Sequence, residues 1–248
     1  CKYNCTYCAI PLIRGRFHSR PFASIVNECK TLVEQGAKEI NLIAQDTTRY
    51  GEDLNKERTS LLPKLLNELA LIEGLKMLRV LYLYPDEISD ELLAVFVNNK
   101  VLVPYFDIPI QHVSAQVLKR MNRRGEKPFL KELFAKIRKL LPEAIIRTTL
   151  IVGFPGEKDE DFEELYHFTR EIEFDRLGAF TYSKEEDTLA YEYEDQIEET
   201  IKEERLKRIF KLQKQIARKK NKAELGKVHH TLIENYDAET EFYYGRSY

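Results

Sequence analysis

The sequence predicts an α/β fold: a partial (β/α)6 TIM-like barrel, followed by a C-terminal amphipathic helix and the start of a small β domain. Three observations carry that prediction. Short apolar runs alternate with helical patterns from about residue 22 to residue 182, and strands alternating with helices imply a parallel sheet. The barrel region, residues 1–190, is about 190 residues long, too short for the ~250 of a full eight-unit barrel and suited to about six units. Near residue 184 the composition turns strongly acidic and then basic. These changes divide the chain into a barrel over 1–190, a linker with an amphipathic helix over 191–226, and a β segment over 227–248.

The elements follow in order. PFASIVNECKTLVEQG places Ile25, Val26, Cys29, Leu32 and Val33 at helical spacing, with Gly36 as the stop. KEINLIA is a short apolar run that reads as a buried strand, leading into the polar loop QDTTRYG. LLPKLLNELALIEG reads as a helix, MLRVLYLY as a strand, ISDELLAVFVNN as a helix capped by Ser89, and YFDIPI as a strand. Residues 114–121 and 127–141 read as helices, AIIRTTLIVG as a strand, EKDEDFEELYHFTREI as a helix and RLGAFTY as a strand. In the basic segment, Ile197, Ile201, Ile209, Leu212 and Ile216 form one stripe, so a helix packs on the barrel with a solvated charged face. A face contacting RNA is the alternative. The carboxylate-rich stretch 184–204 reads as a solvated linker. KVHHTLIENYDAETEFYYGRSY alternates like two strands around a turn.

Composition narrows the function classes. The chain has 248 residues, 43% of them hydrophobic, and a formal charge of −2. This is enough for a sizeable core, and it gives no bulk electrostatic reason to bind nucleic acid. No apolar run approaches the ~20 residues of a membrane span. Four cysteines, three of them within the first eight residues, do not make a secreted disulfide framework; they point to metal binding in a reducing cytoplasm. A site that begins on a ligand residue leads to the expectation of a preceding segment. The β segment at the other end leads to the expectation of more of a small domain.

CKYNCTYC sets Cys1, Cys5 and Cys8 at C-x3-C-x2-C, on a loop short enough to wrap one metal centre. Cys29 falls on the apolar stripe of the first helix and reads as a buried structural cysteine. Three ligands remain, and on a [4Fe–4S] cluster they leave one iron open to a substrate or cofactor. The alternative is a Cys3His zinc site with His18 as fourth ligand.

With Tyr7 between the last two cysteines, on a loop opening an incomplete βα barrel, this motif resembles the radical S-adenosylmethionine (radical SAM) superfamily. The resemblance implies that S-adenosylmethionine chelates the open iron, and that an electron from the cluster cleaves it to methionine and a 5′-deoxyadenosyl radical. It also implies contacts to S-adenosylmethionine from the strand ends: Gln45 and Asp46 in LIAQDT, Gln111 and Ser114 in DIPIQHVS, and Arg147 and Gly153 in RTTLIVGFPGE. Gly156 would serve close backbone approach in the same way. Each has an ordinary reading beside this one: loop hydrogen-bonders for the glutamines, a structural ion pair for Arg147 and a hydrogen-bonding loop residue for His112.

Over nearly the whole chain, CAIPLIRGRFHSRP, LIAQDTTRYG, IPIQHVS, RTTLIVGFPGE and FTYSKEEDT resemble the methylthiotransferases, and among them the RimO type. That type methylthiolates the β-carbon of an aspartate on a small-subunit ribosomal protein. Asp46-Thr47-Thr48 and His112 separate the chain from the sister type, which modifies isopentenyladenosine in tRNA. The resemblance further implies an external electron donor, a second [4Fe–4S] cluster in an N-terminal domain, and a C-terminal TRAM domain begun by the two last strands. Asp187 departs from the family, which often has glycine there. The tRNA-modifying activity and a non-catalytic zinc or RNA-binding module remain the alternatives.

Overall fold

A computed structural model describes residues 1–247. Residues 1–9 are irregular and lead into a five-residue helix, α1 (Ile10–Arg14), then α2 (Phe22–Glu34). The alternation then runs β1 (Glu39–Leu42), α3 (Leu62–Ala70), β2 (Met77–Val80), α4 (Asp90–Asn98) and β3 (Tyr105–Asp107). It continues with α5 (Ala115–Arg120), α6 (Lys127–Leu140), β4 (Ile145–Val152), α7 (Asp159–Ile172), β5 (Arg176–Thr181) and α8 (Glu199–Ala223). Every strand and long helix expected from the sequence forms.

The barrel strands are parallel and stand in chain order. β1 pairs with β2, and β3, β4 and β5 pair in succession, with Asp107 beside Arg147 and Arg147 beside Arg176. A bridge between Leu78 and Leu102 joins the two groups, reinforced by Leu83 N donating to Asp107 O at 2.8 Å. The described residues thus supply five parallel strands, where the sequence suggests about six units.

Local chemistry explains the boundaries. Ser89 accepts a hydrogen bond from Leu92 N at 3.1 Å and caps α4. Gly36 takes a φ of +104° directly after α2, a conformation glycine reaches without strain. β2 is buried at every position, whereas β4 alternates between half-buried and buried residues. The buried set packs beneath the helices with Leu66, Leu69, Leu78, Val80, Phe106, Phe134, Ile146, Phe168 and Phe174, and Cys29 belongs to the same core.

The final helix departs from its expected stripe. Ile209, Leu212 and Ile216 are buried, but Ile201 is 40% exposed, and Lys202, Arg205 and Gln213 are buried instead. The reason is what lies beneath: the first turns of α8 cover the polar turn after β4, where cations find acceptors, and the later turns cover apolar surface except where Gln213 Nε2 donates to Phe174 O at 2.9 Å.

An antiparallel pair follows, β6 (Leu232–Asp237) and β7 (Phe242–Arg246). Arg246 pairs with Glu39 at 2.9 Å, so β7 meets the start of β1. No helix among the described residues is long and apolar enough to cross a membrane.

Candidate functional site

The cysteine loop is anchored from two sides. Thr6 N donates to Met121 O (3.1 Å) and Thr6 Oγ1 to Arg120 O (2.8 Å), while Ala190 N donates to Thr6 O (2.8 Å). The end of α5 and the short turn at 189–192 therefore grip the middle of the loop. Tyr7 sets its edge against Phe154, with centroids 6.3 Å apart, in a small apolar cluster with Val117, Met121, Tyr182 and Ala190. Burial pushes its phenol well above the ordinary range, opposed by the Arg123 cation.

The start of the loop is held by the loop after β1. Tyr3 stacks on Tyr84 at 3.8 Å, Arg49 lies 4.9 Å over Tyr3, and Arg49 also pairs with Glu52 and Glu87. Lys2 pairs with Glu52 at 2.9 Å. Through Arg49 of QDTTRYG and the nearby Glu52 and Glu87, these contacts fix Lys2 and Tyr3, the two residues that follow Cys1.

Cys1, Cys5 and Cys8 are unpaired thiols of intermediate exposure. Cys8 N donates to Cys5 O at 3.1 Å, closing a turn between them. Burial pushes the Cys8 thiol up; the backbone amide of Ile10 opposes this and the neighbouring Cys5 adds to it. Among the described residues, no three His, Cys, Asp or Glu side chains are already gathered as a metal-binding group. His18, the candidate fourth zinc ligand, is strongly exposed and lies 3.7 Å from Asp53.

The strand-end residues take different places. Cys1, Gln45 and Asp46 line one cavity of about 460 Å³ with Arg14, Phe17, His18 and Tyr82. Gln45 is exposed and Asp46 is buried. One Asp46 oxygen accepts from the amide and hydroxyl of Thr48, and the other is buried without a hydrogen-bond partner. Burial raises the Asp46 carboxyl; its bond to Thr48 and the Arg49 charge oppose this. Gln111 has a φ of +66° and keeps its Oε1 buried and unpartnered, while its backbone bonds to Thr149 and Ile151 hold it to β4. These two acceptors without hydrogen-bond partners, Asp46 Oδ2 lying 3.8 Å from Arg49 Nε, and three free soft thiols suit an iron–sulfur cluster with a ligand that carries amino and hydroxyl donors.

The remaining positions are engaged within the protein. Ser114 Oγ donates to Asp161, and Ser114 N donates to Nδ1 of the wholly buried His112. Arg147 Nε lies 3.7 Å from Asp107, its register partner on β3, so it makes the structural ion pair of its ordinary reading. Gly153, expected to admit a ligand, has a φ of +71° and a different neighbour: a Cβ there would stand 2.2 Å from Lys202 Cγ on α8. Gly156 is crowded by Asp195 and Arg120. Asp187, where the resembled family often has glycine, has a φ of +62°, a left-handed conformation that aspartate tolerates.

Sequence reasoning missed the polar centre behind this turn. Glu157 is buried; its Oε2 accepts from Gly153 N at 2.8 Å, and its Oε1 accepts from Arg205 Nη1 at 2.8 Å. His112 Nε2 lies 3.6 Å from the same carboxylate. Burial pushes the Glu157 carboxyl up to about 7, with Arg205 opposing, and burial pushes His112 down to about 3. Glu157 stands in the GFPGE string and was available as a signal. Arg205 sits in a run of charges that gives none.

The family model of the radical SAM superfamily matches residues 1–169. The chain belongs to the radical SAM superfamily. Its fold agrees: a radical SAM methyltransferase, TsrM from Kitasatospora setae, aligns with a TM-score of 0.58 at 17% identity, covering 73% of this chain and 34% of that one. Methylornithine synthase (PylB) aligns with a TM-score of 0.54 at 15% identity, covering 86% and 60%. Among curated proteins, "Ribosomal protein uS12 methylthiotransferase RimO" of Acetivibrio thermocellus is 47% identical over all of this radical SAM chain and 54% of its own length. The protein of the same name from Geobacter sulfurreducens is 48% identical over 97% of the chain and 54% of its own length. The chain thus spans about half the length of the curated relatives it matches.

Proposed function

We propose that the chain is the radical-generating part of a methylthiotransferase of the RimO type, which adds a methylthio group to the β-carbon of an aspartate on a small-subunit ribosomal protein. The observation that carries this reading is the 47% identity to such a protein across the entire chain. Cys1, Cys5 and Cys8 would hold a [4Fe–4S] cluster, which when bound would supply a coordination position for S-adenosylmethionine and the electron for its reductive cleavage. Asp46 Oδ2 and Gln111 Oε1 offer buried acceptors to the amino and hydroxyl groups of that ligand. Gln45, at the rim of the Cys1 cavity, offers an exposed amide, and Tyr7 fixes the loop between two ligands. Ser114, Arg147 and Gly153 act one step back, holding the strand ends that carry these groups. An external one-electron donor, a second cluster outside residues 1–248 and a cytoplasmic setting complete the reading.

Anaerobic reconstitution tests it. The chain should take up about four irons and cleave S-adenosylmethionine reductively to methionine and 5′-deoxyadenosine. Cys5→Ala should abolish both; unchanged iron loading in that variant would sink the assignment. The longer protein, given the ribosomal protein and a tRNA bearing isopentenyladenosine, should add one methylthio group to the aspartyl peptide. Addition to the nucleoside instead would move the assignment to the tRNA-modifying type.

A further inference from the structure

Three arginines close together at the end of α5 are used in different ways. Arg120 pairs with Asp195 at 2.5 Å, and Arg124 lies 3.8 Å from Asp86. Arg123, between them, makes no ion pair with any carboxylate among the described residues. Its Nη2 donates to Pro109 O at 2.7 Å, and its Nη1 donates to Tyr7 Oη at 3.4 Å and to Cys5 Sγ at 3.7 Å. The guanidinium also lies 4.6 Å over the ring of Tyr84, the residue on which Tyr3 stacks. Its Nε is shut off from solvent without a partner.

A shielded cation normally stands beside an anion, because removing it from water costs several kcal/mol that only an opposite charge or several good acceptors offset. Asp86 acts on Arg123 at longer range, but every group in direct contact is neutral or is the sulfur of Cys5. Its contacts also join separate parts of the site: Tyr84 after β2, on which Tyr3 stacks, Cys5 and Tyr7 within the loop, and Pro109 just past β3, two residues before Gln111. One planar fork therefore sets the cysteine loop against the strand that presents Gln111, and lysine cannot reproduce that geometry.

We propose that Arg123 is a positioning residue whose guanidinium orients Cys5 and Tyr7 for metal and serves as the fixed positive counter-charge to the iron–sulfur centre they bind. The inference rests on the function proposed above. A cation held against a ligand sulfur favours the more negative form of the centre, so it makes uptake of one electron from dithionite easier.

Two measurements test the proposal, one without metal. Hydrogen–deuterium exchange on the metal-free protein should show the amides of residues 1–9 opening about tenfold faster in Arg123→Met, with those of β4 unchanged. On the reconstituted protein, dithionite titration followed by electron paramagnetic resonance should give Arg123→Met a lower midpoint potential. A tenfold loss of the reduced form at fixed potential corresponds to about 59 mV for one electron. Arg123→Lys should recover the potential in large part and the loop protection little, which separates charge from geometry. Unchanged exchange and unchanged potential in Arg123→Met would overturn the proposal. Unprotected amides throughout the chain would mean a folding defect, and Arg123→Lys then decides it: parental values for both readouts would overturn the proposal. If even the parent assembles no iron–sulfur centre, the function proposed above fails, while the exchange experiment still judges the role of Arg123 in the loop.

Discussion

Replacing Glu157 by glutamine isolates a titration that takes place inside the protein. The carboxyl ordinarily titrates near 4.5 and is pushed up to about 7 in the fold by burial. Below about pH 4.5 both folded and unfolded chains hold the proton. Between about 4.5 and 7 the unfolded chain has released it and the folded chain has not, so stability falls as pH rises, by about 1.4 kcal/mol per unit. The whole fall amounts to about 3 kcal/mol and is complete near pH 7. His112 acts in the opposite sense. Its folded value of about 3 lies below the ordinary 6.5, so stability rises with pH from about 3 to 6.5. The two slopes cancel between about pH 4.5 and 6.5, and their joint contribution there is flat.

Urea unfolding of the metal-free protein at intervals from pH 4.5 to 8 separates the two. The stability of the parent minus that of Glu157→Gln should fall by about 3 kcal/mol across that range and level off above pH 7. For His112→Asn, which keeps an acceptor for Ser114 N, the same difference should rise by about 3 kcal/mol between pH 4.5 and 6.5. Differences that stay constant with pH in both variants would refute the reading that burial raises the Glu157 carboxyl and lowers the His112 imidazole.

Gly153→Ala forces a Cβ to within 2.2 Å of Lys202 at a positive φ and should cost about 1–3 kcal/mol. Lys202→Ala in the same chain should recover part of that loss in thermal melts. Ile209→Ala empties a fully buried position under α8 and should cost about 2–5 kcal/mol by urea unfolding. Ser89→Ala removes the cap of α4, and the same assay should show a loss of about 1 kcal/mol.

The barrel was legible because its signals are local. Four-residue strands such as EINL and MLRV stand as apolar runs between helical stripes, and Ser89 precedes its helix at the capping position. The spacing of the three cysteines could be read for the same reason, since it lies within one loop. The contacts that hold the loop lie far away in sequence: Thr6 meets Arg120 across 114 residues, and Cys5 meets Arg123 across 118. No window on the sequence contains both partners. Lys202 and Arg205 were missed for another reason, because a buried cation and a solvated one look alike inside a charged run. Gly153 looked like a glycine that admits a ligand, because a positive φ and a close neighbour are visible only as the glycine itself, while the neighbour is a side chain of α8.

The placement of α8 argues that it belongs to the site's scaffold. A helix held only for stability would put apolar residues at its buried positions, since replacing a buried ion pair with well-packed apolar groups is often neutral or stabilising. Here the first turns bury Lys202 and Arg205, which reach Tyr182 O at 3.1 Å and Glu157 Oε1 at 2.8 Å. Glu157 in turn accepts from the amides of Gly153 and Phe154, and Phe154 carries the edge of Tyr7. The segment entering α8 reaches the same loop from the other side: Ala190 N bonds Thr6 O, and Asp195 holds both Gly156 N and Arg120. Directional contacts of this kind fix distances where apolar packing would only fill space. Their cost is reasonable if what they fix is the position of Tyr7 and of the two thiols beside it.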